Sequence, residues 1–157
     1  MTEHATASPC VDELSAALPG QVRTDRASLL AASRDRSHHP AGLPLAVVSC
    51  TSTGDVSAAL AVCHRTGTPV VPRGAATGLE GGANAFDGCV VLDLRPMRRI
   101  LALHPEDFDA VVEAGVLKSE LNAALAPHGL FFPGGPGVDA SVGGMISTRA
   151  SGTNAVR

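Results

Sequence analysis

Tryptophan and tyrosine are absent from this chain, and only four phenylalanines occur. The aromatic platforms on which single-stranded nucleic acids stack are therefore lacking. No basic run appears and the net charge is only −3, which argues against nucleic acid as the main partner. No apolar stretch approaches membrane-spanning length, and Met1-Thr2-Glu3-His4 has no charged-then-apolar signal pattern. A cytoplasmic location is the expectation. There is no CxxC pair: Cys10, Cys50, Cys63 and Cys89 are widely spaced and read as reduced, buried small hydrophobes. His38-His39 has no cysteine or carboxylate pattern beside it and reads as surface loop, so no metal site is expected.

What is present suits one globular domain. The 157 residues are 45% hydrophobic and 17% charged, enough to bury a core. Val11 to Leu18 is amphipathic and ends at Pro19-Gly20, and Thr24 is placed to cap a helix through Ser33. Ser37 to Pro44 reads as a linker. Residues 1–43 are thus expected to be a helical segment and linker, concerned with packing or orientation.

From Leu45 the pattern sharpens. Leu45 to Ser49 reads as a buried strand, and Ser52-Thr53-Gly54-Asp55 is a cap signal. Val56, Leu60 and Cys63 continue it as a helix that Gly67 stops. Pro69 to Pro72 returns as a strand, making a βαβ unit whose crossover should be right-handed. Cys89 to Leu94, Ile100 to Leu103 and Ala110 to Ala114 read as three strands joined by short turns, hence a second, mainly antiparallel sheet. Leu117, Leu121, Ala124 and Leu125 mark a further helix ending near His128-Gly129. The fold class is α+β.

Two small-residue segments carry the chemistry. Val70-Val71-Pro72 runs into Arg73-Gly74-Ala75-Ala76-Thr77-Gly78-Leu79-Glu80-Gly81-Gly82, a loop able to turn its N–H groups toward a phosphate. About sixty residues later comes Ser141-Val142-Gly143-Gly144-Met145, followed by Ser151-Gly152-Thr153-Asn154. Two such segments suit a ligand with two phosphates. Neither matches a P-loop, which needs Gly-Lys-Ser/Thr, nor a GxGxxG opening a helix. On composition alone the first is also compatible with a plain surface loop.

The ordered series Pro72-Arg73-Gly74, Thr77-Gly78-Leu79, Val90 to Leu94, Met97 to Ile100, Gly115, Pro136-Gly137 and GGM-x₅-SGTNA-x-R resembles the FAD-binding half of vanillyl-alcohol-oxidase/p-cresol-methylhydroxylase flavoproteins. Within that superfamily it looks most like the D-lactate dehydrogenase and glycolate oxidase flavin-subunit branch. The similarity covers about Pro44 to Arg157. It implies an FAD-binding type-4 (PCMH-like) domain over residues 44–157, C-terminally incomplete. The cofactor it implies is FAD, held non-covalently, because Thr77 sits where some relatives place a flavin-linked histidine.

The same resemblance implies that backbone amides of Arg73, Gly74, Ala75, Ala76, Thr77, Gly78 and Leu79 cradle the pyrophosphate. Ser141, Gly143, Gly144, Ser151, Gly152 and Thr153 would close over it, with Pro136 and Gly137 nearby. A helix from Val142 to Ala150 would add its dipole. Glu80 must turn away from the phosphates. Ala76 replaces a usual glycine and is tolerable only at negative φ; Gly135 replaces a usual aspartate. Arg73 has two open readings, a salt bridge at the loop base or a cofactor contact. Arg149 leans to solvent, and Asp139 reads as an Asx-type turn residue.

The implied chemistry is removal of hydride from a D-2-hydroxy acid such as D-lactate or glycolate. The parent would pass electrons to an acceptor, in the cytoplasm or at a membrane's surface. Substrate and catalytic residues would lie in a C-terminal half, and no catalytic residue is assigned within 1–157. The chain alone is expected to be inactive, with an unpaired sheet edge that favours self-association. The alternatives are a non-enzymatic domain binding a nucleotide or partner, and the FAD domain of a cell-wall-type NADPH reductase.

Overall fold

The computed structural model describes residues 8–152. Its first element, α1 (Pro9–Ala17), has proline in its first turn, where a missing N–H is harmless. It buries Cys10 and Leu14, and the full burial of Leu14 contributes about 1.5–3 kcal/mol. A short strand β1 (Val22–Arg23) follows, then α2 (Arg26–Ala32). The cap of α2 is Asp25, which accepts from the Ser28 N–H at 2.9 Å; Thr24 is one residue too early.

Strand β2 (Ala46–Ser49) leads into α3 (Thr53–Thr66). The expected start and stop of α3 are both present. Ser52 and Asp55 form a reciprocal capping box, and Gly67 closes the helix at φ 66°, a left-handed conformation that glycine adopts without a Cβ clash. Strand β3 (Val70–Arg73) and β4 (Val90–Asp93) come next. Strands β5 (Ile100–His104) and β6 (Asp109–Val112) form a separate antiparallel hairpin with a bulge between Ile100 and Ala102. Helices α4 (Lys118–Leu125) and α5 (Val142–Ser147) complete the described chain; a 3₁₀ turn continues α4 to His128, and Gly129 ends it at φ 69°.

The first sheet has the order β1-β2-β4-β3, with β4 parallel to both neighbours and β1 antiparallel to β2. This corrects one expectation. Strand β4 does not join the hairpin strands; it is inserted between β2 and β3. The reason is burial. Val90, Val91, Leu92 and Asp93 are all buried, as a central parallel strand requires, whereas a half-exposed hairpin strand would alternate. Pro72 sits on β3 at the sheet's edge, where a missing donor is tolerated.

Both faces of this sheet are covered. Val48, Val90 and Leu92 pack against Cys10, Leu14, Val62 and Cys63 of α1 and α3. Val47, Val71 and Val91 pack with Ala32, Ala85 and Cys89 on the other side. A third cluster joins the hairpin to α4 and α5 through Val116, Leu121, Val142 and Met145. All four cysteines are buried, as expected; burial pushes the Cys63 thiol up to about 12 and the Cys50 thiol up to about 11.

Gly115 connects the two sheets. Its N–H donates to the Met97 carbonyl at 2.8 Å, and a Cβ on it would lie 2.2 Å from the Leu94 carbonyl oxygen. Any side chain would push the hairpin layer away from the end of β4. The register of the first sheet also aligns Ser49, Asp93 and Arg73 in one row at the carboxyl ends of the parallel strands. From that end the glycine-rich loop departs.

Candidate functional site

The two small-residue segments meet. Ser141, only 2% exposed, points its hydroxyl at the start of the first loop and accepts from the Ala75 N–H at 3.4 Å. A Cβ on Gly74 would lie 2.2 Å from the same Oγ. Glycine at 74 is therefore required by the contact between the loops. Ser141 is itself held in place: it bridges Leu117, while Lys118 N–H donates to Ala140 and Val142 N–H to Val116.

Beyond Ala75 the loop is open. The N–H groups of Ala76, Thr77, Gly78 and Leu79 find no acceptor among the described residues. Around Gly78 a Cβ would meet only Asp35 Oδ2, at 3.8 Å, so its bare side faces free space. Four successive unbonded donors beside an uncrowded glycine are the kind of backbone group that an anion such as a pyrophosphate can satisfy. Leu79 is exposed, and Glu80 does turn outward, 3.7 Å from His39. A cleft of about 190 Å³ opens beside Ala75, lined by Arg95, Arg98, Gly115, Leu117 and Asp139. Both guanidiniums are already paired, Arg95 with Asp93 and Arg98 with Glu120, and the Asp139 carboxylate shares the lining, so the cleft is close to neutral.

Ala76 has φ 53°, the left-handed conformation, so the condition of negative φ is not met. The residue is strained, because its Cβ crowds the following carbonyl. The loop must bend there to bring Thr77 and Gly78 round, and alanine is the smallest side chain that endures it.

The second segment divides by role. Gly143 packs against Ala114, where a Cβ would lie 2.8 Å from the Ala114 Cβ, and its N–H donates to the Ala114 carbonyl at 2.9 Å. Gly152 lies against the Gly135 carbonyl, which a Cβ would approach to 2.3 Å. Both glycines serve close packing. Gly144 is exposed and its N–H finds no acceptor among the described residues, so it remains a candidate donor on the loop's side of α5. Ser151 is exposed; Thr153 lies outside the described residues. Helix α5 ends at Ser147 and not at Ala150, because Arg149 takes φ 50° and the Ser147 and Thr148 hydroxyls bond back to Gly143 and Gly144. Arg149 is exposed, as expected.

Other expected residues turn out to brace the site. The Pro136 carbonyl accepts from Lys118 Nζ at 3.1 Å, which ties the Pro136-Gly137 turn to α4, and nothing lies within 4 Å of a Cβ built on Gly137. Gly135, at φ 99°, packs on Met145. Asp139 makes no Asx turn; it caps α4 by accepting from Ser119 N–H and Oγ at 3.0 and 2.6 Å. Those bonds hold its carboxyl below the ordinary aspartate range.

Arg73 is buried at the loop base, and its guanidinium donates to the carbonyls of Ala83 and Ala31 at 3.4 and 3.3 Å. Burial pushes its pKa down, against the opposing charges of Asp93 and Asp35. Neither bond faces the cradle. Its register partner Asp93 is held by Arg95 in a two-pronged pair at 2.8 and 2.7 Å. Two residues near the loop carried no sequence signal: Asp35 and Asn84, which join residues 33–42 to the loop's far end.

Residues 44–157 match the family model described as an FAD binding domain. The chain belongs to that family. A protein of Danio rerio named "Probable D-lactate dehydrogenase, mitochondrial" is 49% identical over 124 residues, 79% of this chain and 25% of that protein. "Glycolate oxidase subunit GlcD" of Escherichia coli strain K12 is 38% identical over 116 residues, 73% of this chain and 23% of that protein. The FAD binding domain chain thus spans about a quarter of the length of the curated relatives it matches.

Among solved structures, alkyldihydroxyacetonephosphate synthase matches with a TM-score of 0.79 at 21% identity, covering 93% of this chain and 30% of the other. p-Cresol methylhydroxylase with substrate bound matches with a TM-score of 0.67 at 23% identity, covering 77% and 24%. These likenesses establish the fold: an α+β FAD-binding type-4, p-cresol-methylhydroxylase-like architecture. The sequence relatives carry the names of D-lactate dehydrogenases and a glycolate oxidase subunit. Among the described residues, no helix is long and apolar enough to cross a membrane.

Proposed function

We propose that this chain is the pyrophosphate-binding portion of an FAD-linked dehydrogenase acting on D-2-hydroxy acids, with D-lactate or glycolate as substrate. The observation that carries the reading is the closure of Ser141 onto Gly74 and Ala75, beside a run of four backbone donors, Ala76 to Leu79, that find no acceptor among the described residues. Bound FAD would supply the hydride acceptor, a chemistry no side chain offers. The residues of this chain bind and orient. Backbone N–H groups from Ala76 to Leu79 would hold the phosphates, aided by the Gly144 N–H. Ser141 would fix the spacing between the two loops, and half-buried Thr77 would add a hydroxyl.

No protein nucleophile suited to covalent attachment stands on the loop, so the FAD is non-covalent in this proposal. The acid–base groups of the reaction and the electron acceptor's docking site are assigned to no residue among 1–157. Residues 44–157 form the family's domain in this reading and 1–43 a preceding segment, of which the described part, 8–43, packs onto it, in a cytoplasmic protein. The four buried, unpaired cysteines support such a reducing compartment.

Calorimetric titration with FAD and FMN tests the reading. FAD is expected to bind at least about tenfold tighter, since the adenosine side adds contacts and the second phosphate. Equal or negligible affinity for both in a folded chain overturns it. Acid precipitation of the loaded chain should release all flavin into the supernatant; flavin retained in the pellet would overturn the non-covalent assignment.

A further inference from the structure

The loop that carries the open donors is pinned at both ends by residues 31–40, the end of α2 and the segment that follows it. At its entry, Arg73 reaches the Ala31 carbonyl on α2 and the Ala83 carbonyl at the loop's exit, so one guanidinium spans the loop's base. At its exit, Asp35 Oδ2 accepts from the Ala83 N–H at 3.3 Å, and the Ser33 carbonyl accepts from the Ala85 N–H at 2.8 Å. Buried Asn84 then reaches back: its Oδ1 accepts from the Asp35 N–H at 2.7 Å, and its Nδ2 donates to Ser37 Oγ, the His39 carbonyl and the Pro40 carbonyl. Between these points the His39 side chain lies 3.1–3.3 Å from where a Cβ on Gly81 would stand.

We infer that Asp35 and Asn84 are positioning residues that fix the curvature of loop 74–82 by hydrogen bonding it to residues 33–40, so that its free N–H groups converge before any ligand arrives. The inference rests on the cofactor reading above and deepens it. A nine-residue loop held only at its strand end would sample many shapes, and ordering it on binding would weaken affinity. Asp35 accepts two N–H groups, from Ser37 and Ala83, one on each oxygen. Asn84 has the one side chain here that can accept from Asp35 N–H and donate to two carbonyls at once. Neither residue hydrogen bonds to the free donors; Asp35 Oδ2 lies 3.8 Å from where a Cβ on Gly78 would stand.

Charge offers a competing account, and it has the opposite signature. Asp35 carries a negative charge near the cradle, so a purely electrostatic role predicts that Asp35→Asn tightens an anionic ligand and Asn84→Asp weakens it. The brace predicts that both weaken it. Asp35→Asn keeps one acceptor and loses the other; Asn84→Asp turns donors toward the His39 and Pro40 carbonyls into repelling oxygens. Ser37→Ala alters no charge and should give a smaller effect in the same direction.

The experiment uses the whole chain with its three variants. In the cofactor-free protein, ¹⁵N relaxation reads the order parameters of the amides of Ala76 to Leu79. They are expected near the rigid value of about 0.85 in the parent and below about 0.6 in Asp35→Asn and Asn84→Asp. Titration with FAD and with ADP, which shares the pyrophosphate, should show both Kd values rising by a common factor of about ten. Melting temperatures report whether a variant is globally destabilised, and Ser37→Ala keeps the comparison open if either polar exchange prevents folding. Unchanged order parameters, or opposite-sign shifts in Kd for the two charge changes, overturn the brace. Loosened amides in variants of a parent that binds neither FAD nor ADP would sink the cofactor reading and leave the brace standing.

Discussion

At the scale of single residues, the site depends on two positions of opposite character. Gly74 must lack a side chain because Ser141 Oγ occupies the space, so Gly74→Ala should weaken FAD binding about tenfold or more by forcing the loops apart. In a Ser141→Ala background the added methyl meets less, and the penalty should shrink; a double-mutant cycle by titration measures that coupling. Strictly additive losses would mean that the two loops act independently. Ala76 is the reverse case, a side chain where none is wanted. Replacing it by glycine removes the φ 53° strain and should stabilise the chain by about 0.5–1 kcal/mol in urea unfolding, after the greater entropy of glycine is offset. The sequence shows small residues at both positions but cannot distinguish them, since a glycine needed for space and an alanine held in strain differ only in backbone angle and neighbours.

Among the elements, what was legible follows from how local each signal is. Helix α3 could be bounded in advance because Ser52, Asp55 and Gly67 act on their own helix ends. Ser52→Ala is expected to cost about 1 kcal/mol, read as a lower denaturant midpoint with unchanged slope. Strand β4 was recognisable as a strand yet misplaced, because an unbroken apolar run states only that both faces are covered and not which neighbours cover them. The cap of α4 is harder still: Asp139 lies twenty residues beyond Ser119, and no local pattern joins them. That cap gives a pH prediction. The Asp139 carboxyl is depressed in the folded state, so its contribution is present above the unfolded value of about 3.9 and is lost as pH falls through the lower folded value. Asp139→Asn should therefore flatten the fall in stability below about pH 4 in acid titrations followed by circular dichroism.

For the whole molecule, the site is an agreement between two layers. The first loop belongs to the parallel sheet, Ser141 to the hairpin layer, and Gly115 lets the layers approach. Gly115→Ala should separate them, destabilising the chain by about 2–4 kcal/mol and weakening FAD binding even though residue 115 offers no donor to the loop. Parent-like affinity in that variant would show that the layers need not touch at this point. The resemblance in sequence already points to the family and to both loops, whereas Ser37 to Pro44 reads only as a Pro/Gly-containing linker and Asp35 carries no local signal, because their partners lie more than forty residues away. The strand order carries one more consequence, for biosynthesis. On a ribosome, β2, α3 and β3 emerge before β4, yet β2 and β3 touch only through β4. The nascent chain therefore carries two unpaired strand edges until residue 93 clears the exit tunnel, and that interval is when chaperone protection matters most.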